Sequence, residues 1–311
     1  MPILTLEPTR ANLIGCFSRD HQPIATIDPG DTVRYRTLDA AWGIEPLLTF
    51  DPPRRKFEPR DPEADSGHCL IGPIAIRGAR PGMTLAVEIG AIIPGSYGFC
   101  LSGGWDHPVN RYFNIVEGGE YIHTWTLDPV ALTVRNQHGH TVTLKPFMGV
   151  MGVAPPEPGN HETPPPRRWG GNLDCKALTT GSTLYLPVGV EGALFYVGDG
   201  HAAQGDGEVS VTAIECPMER VELTFHLRED MPLERPRACT PQGWITFGLH
   251  EDLNQATYQA LEDMLALMQS LYRIDLRNAL ALASLTVDLH ITQIVNGVRG
   301  VHAILPHGAV R

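Results

Sequence analysis

The eleven residues from Gly198 to Glu208 read Gly-Asp-Gly-His-Ala-Ala-Gln-Gly-Asp-Gly-Glu. They hold four glycines, three carboxylates (Asp199, Asp206, Glu208), the His201 imidazole and the Gln204 amide. Glycine lets a backbone turn sharply and lets groups approach one another. Carboxylates and an imidazole converging on such a segment suit a hard or borderline divalent metal. The plainer alternative is a polar turn in solvent, but such a turn seldom gathers so many ionisable groups. No Lys-Ser/Thr follows the glycines, so this is not a phosphate-cradling loop. Calcium-loop spacing also fails.

A second element, Gly170-Gly171-Asn172-Leu173-Asp174, offers two more oxygen-bearing side chains beside two glycines. Alone it is ordinary turn chemistry. Among the other candidates, His68 beside Cys69 and His107 after Trp105-Asp106 read first as loop or satisfied core histidines. His138, His140 and His161 read as surface residues. Glu157 and Glu162 sit in a proline-rich stretch from which either can reach a site. Cys175 is the one thiol near these motifs, and no Gly-x-Ser-x-Gly elbow accompanies it.

The elements that must position these residues are mostly strands. Glycine (32) and proline (27) fall between short apolar runs, as they do between many short strands. Such runs include Thr32–Thr37, Leu85–Ile89, Ala131–Val134, Ser182–Val188, Gly192–Val197, Val209–Ile214 and Val221–Leu227. Asp28-Pro29-Gly30-Asp31 and Arg80-Pro81-Gly82-Met83 each predict a type II turn that launches a strand. From Asp252, apolar residues recur with helical period through Leu271, and Asp252 with Gln255 resembles a capping box. A second helix is expected from Ile274 through Ala283, then a strand from Thr286. Residues 153–171 hold six prolines and cannot form a strand or helix interior. The fold class is therefore mainly β, a sandwich or barrel-like body with a smaller α+β C-terminal part. The expected parts are 1–145, 146–235 (carrying the motifs) and 236–311, with one intertwined domain as the alternative.

The 311 residues are 42% hydrophobic and 19% charged, an ordinary soluble composition. A net charge of −11 speaks against nucleic-acid partners, which require clustered Lys and Arg. The short run Arg54-Arg55-Lys56 reads as a solvated loop. No stretch approaches the apolar length of a membrane span, and the first residues lack the pattern of a secretory leader. Six scattered cysteines without C-x-x-C spacing point to a reducing cytoplasm.

Together the motifs specify a family. Pro146–Pro155, Gly170–Asp174, Gly181 through Val188, Glu191–Leu194 and Gly198–Glu208 resemble, in order and spacing, the acetamidase/formamidase family. Gly72–Gly82 resembles its N-terminal motif, and Leu289–Asn296 with Val301–Pro306 its C-terminal part, so the likeness covers nearly the whole chain. Two positions depart: Trp169 stands where some members have a histidine, and Met83 where many have an aspartate. The resemblance implies hydrolysis of short linear amides to ammonia and a carboxylate, a β-rich fold, a divalent metal and a homo-oligomer. Zinc is the first expectation for the metal, with calcium or another divalent ion as alternatives. On this reading Asp174 and His201 hold the metal, and Asp199 is a third ligand or a supporting partner. Glu208 is the general base, and Asn172 and Gln204 bind the amide or its oxyanion. The competing reading is a catalytically inactive, metal-stabilised β-rich protein that binds a small ligand.

Overall fold

The computed structural model describes residues 3–311. Alternating burial makes Thr32–Thr37 a half-buried strand, with Val33, Tyr35 and Thr37 turned inward. It belongs to a nine-stranded sheet. The order is Leu4–Leu6, Thr32–Thr37, Met218–Arg228, Thr84–Pro94, Thr183–Pro187, Arg237–Cys239, Gly243–His250, Arg299–Pro306 and Asp288–Gln293. This sheet draws strands from all three expected parts of the chain. Both Pro-Gly turns launch a strand as expected. Gly30 and Gly82 have φ of 97° and 90°, and Asp31 and Met83 close their turns by donating N–H bonds to Asp28 O and Arg80 O.

A six-stranded sheet carries the motifs. It runs Gly170–Asn172, Phe147–Val153, Phe195–His201, Leu70–Ile76 and Leu13–Ile14, with Ala25–Ile27 pairing parallel to Leu70–Ile76. Its three central strands are buried along their full length, which explains their nearly continuous apolar and glycine sequences. The two large sheets share one core, in which Phe195 of one meets Phe225 of the other edge-on at 5.0 Å. A four-stranded sheet, Thr141–Thr143, Thr133–Asn136, Tyr121–Asp128 and Tyr97–Ser102, lies alongside.

The helix Leu253–Tyr272 packs its Ala256, Ala260, Met264 and Met268 face on strands Gly243–His250 and Arg299–Pro306. Gly248 permits that closeness, because a Cβ there would strike the Ala256 carbonyl. Asp252 caps the helix by accepting the Gln255 N–H at 2.9 Å. The reciprocal half of the box is made by His250, whose Nδ1 accepts the Asp252 N–H. The second helix is Leu276–Thr286, and the following strand starts at Asp288, two residues later than expected. Among the described residues, no helix is long and apolar enough to cross a membrane.

Four local expectations are corrected. The strand expected over Gly192–Val197 is Phe195–His201, because Gly192, Ala193 and Leu194 form a left-handed turn with φ of 74°, 60° and 55°. Asp199 and His201 therefore sit on a strand, not in a loop. Val209–Ile214 forms no strand, since Glu208 and Val211 have φ of 46° and 76° and break any extended run. Leu132 likewise turns at φ 53°, so that strand is Thr133–Asn136. Arg54 is not solvated: its side chain is 5% exposed and pairs with buried Asp39 at 2.7 Å.

Candidate metal centre and active site

Asp199 and His201 are two residues apart on one strand, so their side chains share a face. That face looks onto Gly149 of the neighbouring strand Phe147–Val153. A Cβ on Gly149 would collide with Asp199 Oδ2, lie 2.7 Å from Asp174 Oδ1 and lie 2.9 Å from His201 Cε1. The bare glycine backbone is what leaves room for the two carboxylates and the imidazole. Asp174 reaches this space from beyond strand Gly170–Asn172, with its N–H donating to Gly149 O at 3.2 Å. Asp174, Asp199 and Glu208 all hold left-handed φ (49°, 59° and 46°). Such strain, concentrated on three carboxylates of one cluster, is a mark of a functional site.

Glu215 completes the cluster and was not anticipated. It is the joint between two sheets: it exchanges backbone hydrogen bonds with Phe99, while Cys216 N–H donates to Gly200 O. Its Oε2 lies 3.4 Å from His201 Nε2, and Asp199 Oδ1 lies 3.1 Å from the same nitrogen. Two overlapping groups, Asp174–His201–Glu208 and Asp199–His201–Glu215, each bring their ligand atoms within 4.8 Å of one another, and all these residues are buried. The only advance sign of Glu215 was a lone carboxylate set in the apolar run Ala213-Ile214-Glu215-Cys216.

Neighbouring amides orient these groups. Gln204 Nε2 donates to the Asp174 carbonyl at 2.8 Å, which leaves Oε1 facing His201 Nδ1 at 2.9 Å. A carbonyl oxygen can only accept, so the Gln204 orientation is set, and His201 Nδ1 must carry a proton. His201 Nε2 is thereby directed at Asp199 and Glu215. Asn296 Nδ2 donates to Asp174 Oδ2 at 2.6 Å. Asn172 Nδ2 donates to Pro164 O at 3.1 Å, and its Oδ1 has no partner.

Burial sets the electrostatics. Desolvation raises Asp174 to about 7 and Glu215 to about 8, and with the Asp174 charge it pushes Glu208 well above the usual carboxylate range. Desolvation acts on Asp199 too, but the His201 charge and hydrogen bond outweigh it and hold Asp199 low. Burial alone would lower the His201 pKa. Asp199 and Glu215 reverse that and raise it. Without an added cation, the cluster thus pairs ionised Asp199 with imidazolium, while burial favours the protonated forms of Glu208 and Glu215 and leaves Asp174 divided between its two forms near neutrality. Asp174 Oδ1 and Glu215 Oε2 are buried with no hydrogen-bond partner. Orphaned carboxyl oxygens, a strand face cleared by Gly149, and a mixed imidazole–carboxylate donor set together fit a divalent cation.

Asp199, Glu208 and Glu215 of the cluster line a cavity of about 290 Å³. Asn172, Asp199, Glu208, Glu215 and His68 supply much of its polar lining, and Ala40, Ala41, Phe99 and Leu101 much of its apolar lining. Buried Asp39, held by Arg54, braces the wall by accepting the Ala41 and Gly43 N–H groups. The proline-rich segment covers this region, but through Thr163 and Pro164. Glu157 and Glu162 point to solvent. His107 caps the short helix Pro108–Tyr112 and faces Val295 O at 3.2 Å, next to Asn296. Cys175 is buried with its thiol pushed up to about 12 by desolvation, which removes it as a nucleophile.

A second group, Asp206–His290–His302, lies behind the Glu208 turn. Asp206 Oδ2 takes the Lys176 ammonium at 3.1 Å and His290 Nδ1 at 3.0 Å, so a cationic partner is already present. Together with the bonds from Gly207 N–H to Thr292 O and Ile294 N–H to Gly207 O, it ties the Glu208 turn to the C-terminal hairpin.

The sequence model of the acetamidase/formamidase family matches residues 8–158 and 157–307 of this chain. A formamidase from Methylophilus methylotrophus is 28% identical over 240 residues, 60% of this chain and 57% of that protein. An acetamidase from Mycolicibacterium smegmatis is 28% identical over 244 residues, 60% of this chain and 58% of that protein. The matches thus span less than three fifths of either relative. The crystal structure of an acetamidase from Bacillus halodurans superposes with a TM-score of 0.82 at 28% identity, covering 98% of this chain and 97% of that one.

Proposed function

The chain belongs to the acetamidase/formamidase family, and from that premise we propose that it hydrolyses short linear amides to ammonia and a carboxylate. The observation that carries this reading is the buried Asp174–Asp199–His201–Glu208–Glu215 cluster, with its orphaned oxygens, on the wall of a small cavity. Asp174, His201 and Asp199 would hold a divalent ion, zinc on the chemistry of the donor set, and Glu215 is placed to join them at His201 Nε2. Such an ion, when bound, polarises the amide carbonyl and acidifies water.

The protein's own groups divide the remaining work. Gln204 has both ends of its amide engaged inside the protein, so we assign it to orienting His201 rather than to substrate. Asn172 Oδ1 is free to accept from the substrate –NH₂. With a divalent ion beside it to favour its carboxylate form, Glu208 would take the proton of the attacking water as the new C–O bond forms, then deliver it to nitrogen as the C–N bond breaks. A buried carboxyl with a raised pKa is suited to hold that proton between the two steps. Ala40, Ala41, Phe99 and Leu101 limit the acyl group to a few carbons.

We also read the protein as a cytoplasmic homo-oligomer. In support, all six cysteines are unbridged. Tyr112 and Phe113, 80% and 63% exposed, border a wide apolar hollow suited to contact with another surface. The direct assay is ammonia release from formamide, acetamide, propionamide and longer amides. The expected rate falls as the acyl chain outgrows the cavity. No release from any amide by protein with bound metal would favour the inactive, ligand-binding reading.

A further inference from the structure

The proline-rich segment reaches the cavity through one hydroxyl, that of Thr163, which is fully buried. Thr163 Oγ1 lies 2.8 Å from the backbone nitrogen of His68 and 2.8 Å from Nδ1 of the same ring. Gly67 makes this approach possible, because a Cβ there would overlap Oγ1. The backbone N–H can only donate, so it occupies one lone pair of the hydroxyl. Among the described residues that hydroxyl makes no other hydrogen bond, so the acceptor left for its proton is His68 Nδ1. The opposite tautomer would strand a buried O–H without a partner, which is unfavourable. Nδ1 therefore accepts, and Nε2 carries the ring proton. Among the described residues Nε2 has no hydrogen-bond partner, and the ring lines the cavity with Asn172, Asp199, Glu208 and Glu215.

We infer that His68 is a catalytic residue whose Nε2–H donates to the carbonyl oxygen of the bound amide, and that Thr163 is the positioning residue that fixes this tautomer. The inference rests on the amidase reading and completes its recognition of substrate. An amide offers one acceptor and one donor end: His68 Nε2–H matches the oxygen, and the free Asn172 Oδ1 matches the –NH₂. A neutral imidazole donor strengthens its bond as charge develops on that oxygen, so it acts mainly in the transition state. The ring belongs to no ligand group of the metal cluster.

Two readouts test this on the full-length protein. The first is nitrogen NMR of the histidine rings during titration with acetamide. The expected result is an Nε2–H tautomer for His68 whose Nε2 resonance moves as acetamide is added. In Thr163→Val the tautomer preference should be lost, and in Thr163→Ser it should be kept. The second is kinetic. His68→Ala should lower kcat by about 100-fold with KM little changed and bound metal unchanged. Thr163→Val should follow in the same direction and Thr163→Ser should restore the rate. An Nδ1–H tautomer, an Nε2 resonance indifferent to acetamide, or a kcat for His68→Ala within threefold of the parent would overturn the inference. Failure of the amidase reading looks different: the parent protein releases no ammonia, while the NMR titration still decides the role of His68.

Discussion

Asn296 donates its side-chain N–H to Asp174 Oδ2 at 2.6 Å, across 122 residues of sequence. The contact joins the C-terminal hairpin to the carboxylate after Gly170-Gly171-Asn172. It leaves Asp174 Oδ1 alone to face the cluster. Supporting hydrogen bonds of this kind hold a ligand carboxylate in one orientation. Asn296→Ala should therefore weaken divalent-ion binding by about 10- to 100-fold. Calorimetric titration of metal-free protein reads this directly. An unchanged affinity would mean that the bond is only a packing contact.

Gly149 is the floor of the same space. Gly149→Ala would press a methyl group against the Asp199 and Asp174 carboxylates. The expected outcome is loss of most bound metal and activity, with the β fold retained by circular dichroism. The collision falls on ends of side chains in a cluster, not on core backbone. Full metal occupancy in this variant would show that the two carboxylates do not converge where the structure has them.

The protonation pattern sets a pH dependence. Near neutrality in the metal-free fold, Glu215, raised to about 8, favours its protonated form, and Asp174, raised to about 7, holds its proton in part. An ion must displace those protons, so its binding releases them and its affinity rises with pH. The window is set by these raised values, not by the ordinary carboxylate range. Titrations at pH 6 and pH 8, in buffers of different ionisation enthalpy, measure both affinity and proton release. Equal affinity at the two pH values with no proton released would sink this assignment.

Glu208→Gln keeps the volume of the side chain and removes its capacity to carry a proton. We expect bound metal to be retained and kcat to fall by about 100- to 10,000-fold. Activity within about threefold of the parent would transfer the proton-carrying role elsewhere, with Glu215 the nearest alternative.

How much of this was legible in sequence follows physical lines. His201, Asp199, Asp174 and Glu208 stood in two glycine-rich runs whose composition already pointed to a site, and the structure brings all four together. Glu215 and Asn296 were not picked out as site residues. Glu215 directly follows the run Val209–Ile214, where a strand was expected, and that expectation failed because Glu208 and Val211 take left-handed φ, a choice dictated by tertiary contacts. Asn296 reaches Asp174 only through pairing of distant segments, which no local pattern encodes. The helix at Asp252 was readable to within a residue because its cap and period are local. In the proline-rich segment the charged residues drew attention, yet the uncharged Thr163 faces inward. Burying Glu157 or Glu162 would have needed a charge partner, whereas a hydroxyl can be satisfied by one backbone N–H and one ring nitrogen.

We propose that this cluster hydrolyses amides with a divalent ion held by Asp174, Asp199 and His201. Ammonia release from acetamide by the full-length protein tests it most directly, measured as purified, after chelation, and after zinc is restored. We expect release that chelation abolishes and zinc restores, with the parallel loss of ion binding in His201→Ala. Ammonia release that persists at full rate in metal-stripped protein would contradict the account.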